Sequence, residues 1–216
     1  MLNLPFTDMI IFLIAILAGL TVHEFSHAWA AVKLGDDTPK ETGRFTLNPL
    51  KHIDLLGLVF LVIAGFGWAK PVVINRNKLQ KPVFDSILIA LAGPFSNFLF
   101  ALVMGLLLKV LIIFQADNLP QGILNILNAV FKYFIFINIG LGIFNLLPFP
   151  PLDGSHLYLD YILEKRPQLA VNIYRAGSLI LVILLVSRRF TGIDLLPVGK
   201  LITIVMDGLF RTLKIQ

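Results

Sequence analysis

Apolar residues along this 216-residue chain come in blocks too long for the core of a water-soluble domain. Residues 9–32, 83–114, 130–147 and 169–186 are each almost wholly apolar or small. A helix rises about 1.5 Å per residue, so roughly 20 residues cross the ~30 Å hydrocarbon layer of a bilayer. Each block is therefore expected to be a membrane-spanning helix, the second with length to spare for tilt. A weaker block at 195–210 contains Lys200 and Asp207 and is followed by Arg211 and Lys214. It reads either as a short span or as an amphipathic helix at the interface. Block 55–66 is apolar but short, holds Gly57 and Gly65, and is entered and left through polar, turn-rich sequence.

Whether 55–66 crosses decides the sidedness of all that follows. Read as a re-entrant or interfacial excursion, it keeps Lys40, Arg44 and Lys51 on one side with Lys70, Arg76, Lys78 and Lys81. Lys165 and Arg166 then join them, while residues 115–128 on the far side carry no basic residue. The tendency of Lys and Arg to stay cytoplasmic favours this arrangement, with the N-terminus outside and 33–82 inside. Arg188 and Arg189 would face outside and count against it. Within 33–82, residues 44–48 and 70–74 are expected to be short extended segments near the membrane surface, on their alternation and β-formers, with Pro49 and Pro71 at turns or edges. Their edges offer a place for an extended substrate to add as a strand.

Composition agrees with lipid as the solvent: 57% of residues are hydrophobic and 14% charged, against about 25% charged in soluble domains. The formal charge of +5 is dispersed between apolar blocks, which fits membrane flanks rather than a nucleic-acid surface. With no cysteine, the chain has neither disulfides nor thiolate ligands, so any metal must be held by His, Asp, Glu or Asn. Met1–Pro5 carries no basic region and no cleavage site closes the first block, so a removable signal peptide is not expected. No repeat or linker divides the chain, and a single domain over 1–216 is expected.

Against this background His23-Glu24-Phe25-Ser26-His27 is anomalous, because it puts three ionisable side chains inside an apolar block. Residues i and i+4 share a helix face, so His23 and His27 can offer imidazoles to one tetrahedral ion. Glu24, too close in sequence to His23 to be an easy third ligand, is placed to take a proton from water activated by the metal. A hydrolytic zinc site needs a third ligand and an open position. Asp153, after two prolines and before Gly154 at the end of a long apolar block, is the better donor; its competing role is to cap the helix beginning near Ser155. His156 lies three residues on, as a supporting partner or substitute ligand. His52 reads as a surface loop residue. Asn97, beyond Gly93, and Asn145 either hydrogen-bond between helices or steady an oxyanion; Asn138 is taken as structural.

These segments together resemble the site-2 protease family of intramembrane zinc metalloproteases, in particular its short prokaryotic branch without a PDZ domain. The resemblance spans about residues 21–157 and rests on the His-Glu-x-x-His motif, Gly43 to Leu50, Gly67 to Val72, Ala92 to Asn97, and Phe144 to Gly154. It implies one Zn2+ held by His23, His27 and Asp153, Glu24 as the catalytic carboxylate, and a three-helix catalytic core with the short β segments between its first two helices. That makes the expected fold an all-α polytopic membrane protein, with a core over 9–157 and accessory helices over 158–216. The expected activity is hydrolysis of peptide bonds in single-span or membrane-anchored proteins, in a prokaryotic cell (inner) membrane. Where branch members have His-Ile-Asp-Pro, this chain has His52-Ile53-Asp54-Leu55. The competing readings are a zinc-binding membrane sensor or inactive scaffold, a metal transporter, and a structural membrane protein. The first leaves Glu24 without work, the second calls for acidic or histidine sites along 83–114 and 169–186, which have almost none, and the third gives no reason for His23, Glu24, His27 and Asp153 together. Expected partners are these protein substrates and membrane lipid, not nucleic acid; self-association is left open by the sequence.

The topology predicts that single cysteines placed at Lys40 and Asn75 label from the cytoplasmic side and one at Asn118 from the opposite side. Labelling of positions 75 and 118 from the same side would sink it.

Overall fold

The computed structural model describes residues 5–64, 67–115, 119–191 and 196–215, with the side chains of 62–64, 115 and 188–191 excepted. Its helices are α1 (Phe6–Lys33), α2 (Thr38–Glu41), α3 (Leu55–Ala64), α4 (Pro82–Gln115), α5 (Gln121–Asn145), α6 (His156–Lys165), α7 (Pro167–Thr191) and α8 (Val198–Leu213). Single 3-10 turns lie at Pro49–Lys51, Arg76–Lys78 and Asp153–Ser155. Among the described residues, four helices are long and apolar enough to cross a bilayer: Phe6–Lys33, Pro82–Phe114, Gln121–Asn145 and Pro167–Ser187. All four expected spans are thus helical, and α5 starts nine residues before the expected block, at Gln121 rather than residue 130.

Helices α1, α4 and α5 pack against one another, and their arrangement inverts that of a soluble protein. Leu99, Leu102, Val103, Leu106 and Leu107 of α4 are exposed, as a lipid-facing surface requires. The buried positions at the helix crossings include Thr21, His23, Glu24, His27, Asn97 and Asn138. Small residues let the backbones come this close. A Cβ on Gly19 would lie 2.8 Å from Leu141 Cδ1, and one on Gly93 would lie 2.4 Å from His27 Nε2. Below the polar layer, Ala101 and Leu108 of α4, Ile135 and Ile139 of α5 and Ile202 of α8 form an apolar core. So α8, whose expected first residue lies outside the described residues, packs through Ile202 and Leu213 onto the bundle.

The α3 segment does not cross. Ten residues at 1.5 Å each reach about half the hydrocarbon thickness, and the chain returns to where it left. Ile53 and Ala69 form an isolated antiparallel bridge, with Lys70 N–H donating to His52 C=O at 2.8 Å. Gly57 faces Trp68 so closely that a Cβ there would lie 2.1 Å from the Trp68 carbonyl oxygen. Leu55 replaces the branch's proline without loss of the helix start, because Asp54 Oδ1 accepts from Gly57 N–H at 2.9 Å.

The expected membrane-surface β segments are not there. Among the described residues there is no β-strand; the Ile53–Ala69 bridge is isolated. The backbone groups that a ladder would use are spent elsewhere. The N–H groups of Arg44 and Phe45 both turn back to the Pro39 carbonyl. The Arg44 guanidinium donates to the Lys51 carbonyl, and Asn48 caps the 3-10 turn at Pro49 by accepting from Leu50 N–H at 3.1 Å. In the second segment, Val72 N–H donates to Glu24 Oε2 at 3.0 Å and Asn75 N–H to Asp36 Oδ2 at 2.6 Å. Residues 67–78 therefore form an irregular strap tied down by carboxylates. β-propensity reflects fit to a neighbouring strand, and neither segment has one. Strand addition by a substrate loses its basis with them.

Asp36 is fully buried and also accepts from Thr38 N–H at 3.0 Å. Asp36→Ala leaves two backbone donors without partners and is expected to lower stability by about 1–3 kcal/mol, read as a thermal shift in detergent.

Candidate metal centre

One end of α1 supplies His23, Glu24 and His27, one turn of helix bringing both imidazoles to the same face. The third group, Asp153, comes from the 3-10 turn Asp153–Ser155 that follows α5. Gly154 allows that turn to sit on the end of α5, since a Cβ there would lie 2.2 Å from the Leu146 carbonyl oxygen. His23 Nε2 lies 3.0 Å from His27 Nε2 and 3.1 Å from Asp153 Oδ2, and His27 Nε2 lies 3.5 Å from the same oxygen. These three residues can hold one metal ion.

The hydrogen bonds behind the rings show what the facing atoms carry. Asn97 Nδ2 donates to the Gly19 carbonyl at 3.0 Å and to Asn138 Oδ1 at 2.9 Å. Its Oδ1 therefore faces His23 Nδ1, 2.7 Å away, and that nitrogen must be the donor. His27 Nδ1 donates to the Ile89 carbonyl at 2.7 Å. With Nδ1 the donor in each ring, the neutral form of each turns its Nε2 lone pair towards the other and towards Asp153. Asp153 Oδ2 is buried and accepts no hydrogen bond. Three converging lone-pair donors repel one another unless a cation lies among them, and the donor set therefore fits a metal.

Glu24 is buried beside the pair but points its carboxylate at Val72 N–H. It lines a cavity of about 790 Å³ together with His23, His27, Asp153, Asn145 and His156. Asn145 donates to the Leu141 carbonyl at 3.0 Å, which leaves its second amide hydrogen for the cavity. Asn97 is fully buried, with both amide hydrogens used. His156 Nδ1 bonds to Asp160 Oδ2 at 2.9 Å and is not brought into the His–His–Asp group. His52 is buried rather than on the surface, donating from Nε2 to the Thr46 carbonyl at 2.8 Å, and also stands apart from it. Two functional contributors are not marked in the sequence: Ile89, which supplies a backbone carbonyl, and Val72, which supplies a backbone N–H. Neither leaves a side-chain signal.

The family model described as peptidase family M50 matches residues 11–124 and 111–186. The chain belongs to that family. Its M50 relatives include YwhC of Bacillus subtilis, 40% identical over 73% of this chain and 72% of that protein. Rip2 of Mycolicibacterium smegmatis is 31% identical over 79% of this chain and 64% of its own length. Zinc metalloprotease RasP of Bacillus licheniformis is 33% identical over 61% of this chain and 26% of RasP, so the chain spans about a quarter of that relative. No solved structure gives a significant match. The site-2 protease resemblance is borne out at the level of the M50 family, and the chain is a multi-pass membrane protein with bacterial relatives.

Removing the hydrogen bond behind a metal-binding imidazole commonly costs 10–100-fold in affinity. Asn97→Ala is expected to weaken metal binding by about that factor, measured by competition with a chelator; unchanged affinity would remove the orienting role.

Proposed function

We propose that this M50 chain is a zinc-dependent intramembrane endopeptidase that cleaves single-span or membrane-anchored proteins. The observation that carries this reading is the convergence of His23 Nε2, His27 Nε2 and Asp153 Oδ2 at 3.0–3.5 Å beside a carboxylate that is not part of the group. A tetrahedral ion with ligand bonds of about 2.0–2.1 Å has ligand–ligand edges near 3.3–3.4 Å, which suits these separations and favours zinc. When bound, zinc supplies Lewis acidity and makes water acidic near neutral pH.

The chain's own residues do the rest. Glu24, steadied by Val72 N–H, takes a proton from the attacking water and returns it to the departing amine as the peptide C–N bond breaks. Asn97 acts through His23, holding the ring with Nε2 forward. Asn145 lines the cavity with an amide hydrogen left over and is the side chain we assign to the developing oxyanion. The strap over residues 67–78 holds Glu24 and lines the cavity through Trp68 and Val72. Peptide hydrolysis inside a bilayer requires a substrate segment that has left its helix, since helical hydrogen bonding shields the amide. In the proposed domain, residues 9–157 carry this chemistry and 158–216 support it.

Glu24→Gln is expected to retain the metal and to cut single-span peptides in detergent about 10²–10⁴-fold more slowly. Metal content by mass spectrometry and cleavage by chromatography decide it. Undiminished cleavage would remove Glu24 as the base, and a wild type that binds zinc but cleaves nothing would favour a sensor or scaffold.

A further inference from the structure

His156 stands in the wall of the metal cavity with its side chain 42% exposed, three residues beyond Asp153. Its Nδ1 meets Asp160 Oδ2 at 2.9 Å, and the other oxygen of that carboxylate accepts from Arg76 at 3.0 Å. The Asp160 side chain is 5% exposed, so Arg76 and His156 are its environment. A carboxylate paired with a guanidinium only accepts, and His156 Nδ1 must therefore donate. With Nδ1 donating to Asp160, the lone pair of the neutral ring lies on Nε2. No described residue bonds to that nitrogen.

Several other polar groups in the cavity wall already have partners, while Asn145 keeps an amide hydrogen and the buried Ser86 Oγ has no partner among the described residues. Glu24 is held on Val72 N–H, Ser178 donates to the Tyr174 carbonyl, and Arg76 and Asp160 hold each other. The rest of the wall is mainly apolar, including Leu20, Phe144, Leu181 and Leu185. An unwound peptide entering such a space carries backbone N–H groups that cost free energy unless an acceptor meets them. We propose that His156 Nε2 is that acceptor: it binds a substrate amide N–H flanking the cleaved bond, and Asp160 and Arg76 are positioning residues that fix its tautomer and direction. This rests on the protease reading above and adds a recognition site for the peptide backbone, which tolerates any side chain.

The test uses one single-span peptide in which each amide flanking the cleaved bond, but not the cleaved one, is replaced in turn by an ester. The ester lacks the N–H and keeps the chain direction. For wild type, one position is expected to lose about tenfold in kcat/KM. His156→Phe is expected to lose about tenfold on the parent peptide and nothing further at that position, while His156→Gln, which returns an amide oxygen, recovers part of the loss. Asp160→Ala should reproduce the pattern of His156→Phe. Binding of fluorescent versions to the Glu24→Gln protein, with and without His156→Phe, reads the same contact by anisotropy without cleavage. Equal ester losses in wild type and His156→Phe, tolerance of every ester by wild type, or loss of metal from His156→Phe would each overturn the assignment. A wild type that cleaves yet shows additive losses overturns this inference alone. Peptides that bind with the expected pattern but are never cut overturn the protease reading and leave the contact standing, and no binding of any peptide overturns both.

Discussion

A single buried amide holds this structure together where it matters. Asn97 reaches from α4 to the Gly19 carbonyl and His23 ring of α1 and to Asn138 of α5. In hydrocarbon there is no water to take over a lost partner, so each of these groups either finds the others or costs several kcal/mol. The same bonds that join three helices also set the His23 tautomer, and with it the direction of a lone pair. Packing and chemistry are one constraint here, because α4 approaches closely enough only where Gly93 presents no side chain to the imidazoles.

The second half of the cavity is organised by charge. Residues 67–78 have no sheet and little helix to rely on, yet three carboxylates from different elements hold them: Glu24 of α1, Asp36 after it, and Asp160 of α6. The strap thereby connects the helix that carries both histidines to the helix that follows Asp153. Glu24 is part of this scaffold as well as the proposed base. A carboxylate bonded through one oxygen to a backbone N–H keeps a fixed direction and still has an oxygen for water.

Apolar faces exposed on α4 and ionisable groups sequestered at helix crossings are two sides of one solvent effect. Association of helices in lipid gains little from burying leucine, since lipid is as apolar as the interface. Close approach at glycine and hydrogen bonds among His23, Asn97 and Asn138 take over that work. The cavity then opens beside the most polar layer of the bundle, where a substrate segment can exchange its helical hydrogen bonds for new ones.

The helices, the non-crossing α3 segment, and the grouping of His23, His27 and Asp153 were legible from residue order. Their signals are local: unbroken apolar length, a short block with glycines, and ionisable groups at helical spacing in an expensive place. At 44–48 and 70–74 the β-forming side chains predict extended strands that the fold does not make. Whether a strand forms depends on a neighbour to pair with, and the N–H groups of these segments went to Pro39, Glu24 and Asp36 instead. The Ile89 carbonyl behind His27 and the Val72 N–H behind Glu24 were likewise invisible, since every residue but proline offers the same backbone groups. Sequence by itself determined which atoms could bind a metal and that lipid surrounds them. Tertiary structure alone decided which lone pairs face one another, because that direction comes from hydrogen-bond partners more than sixty positions away, Ile89 for His27 and Asn97 for His23.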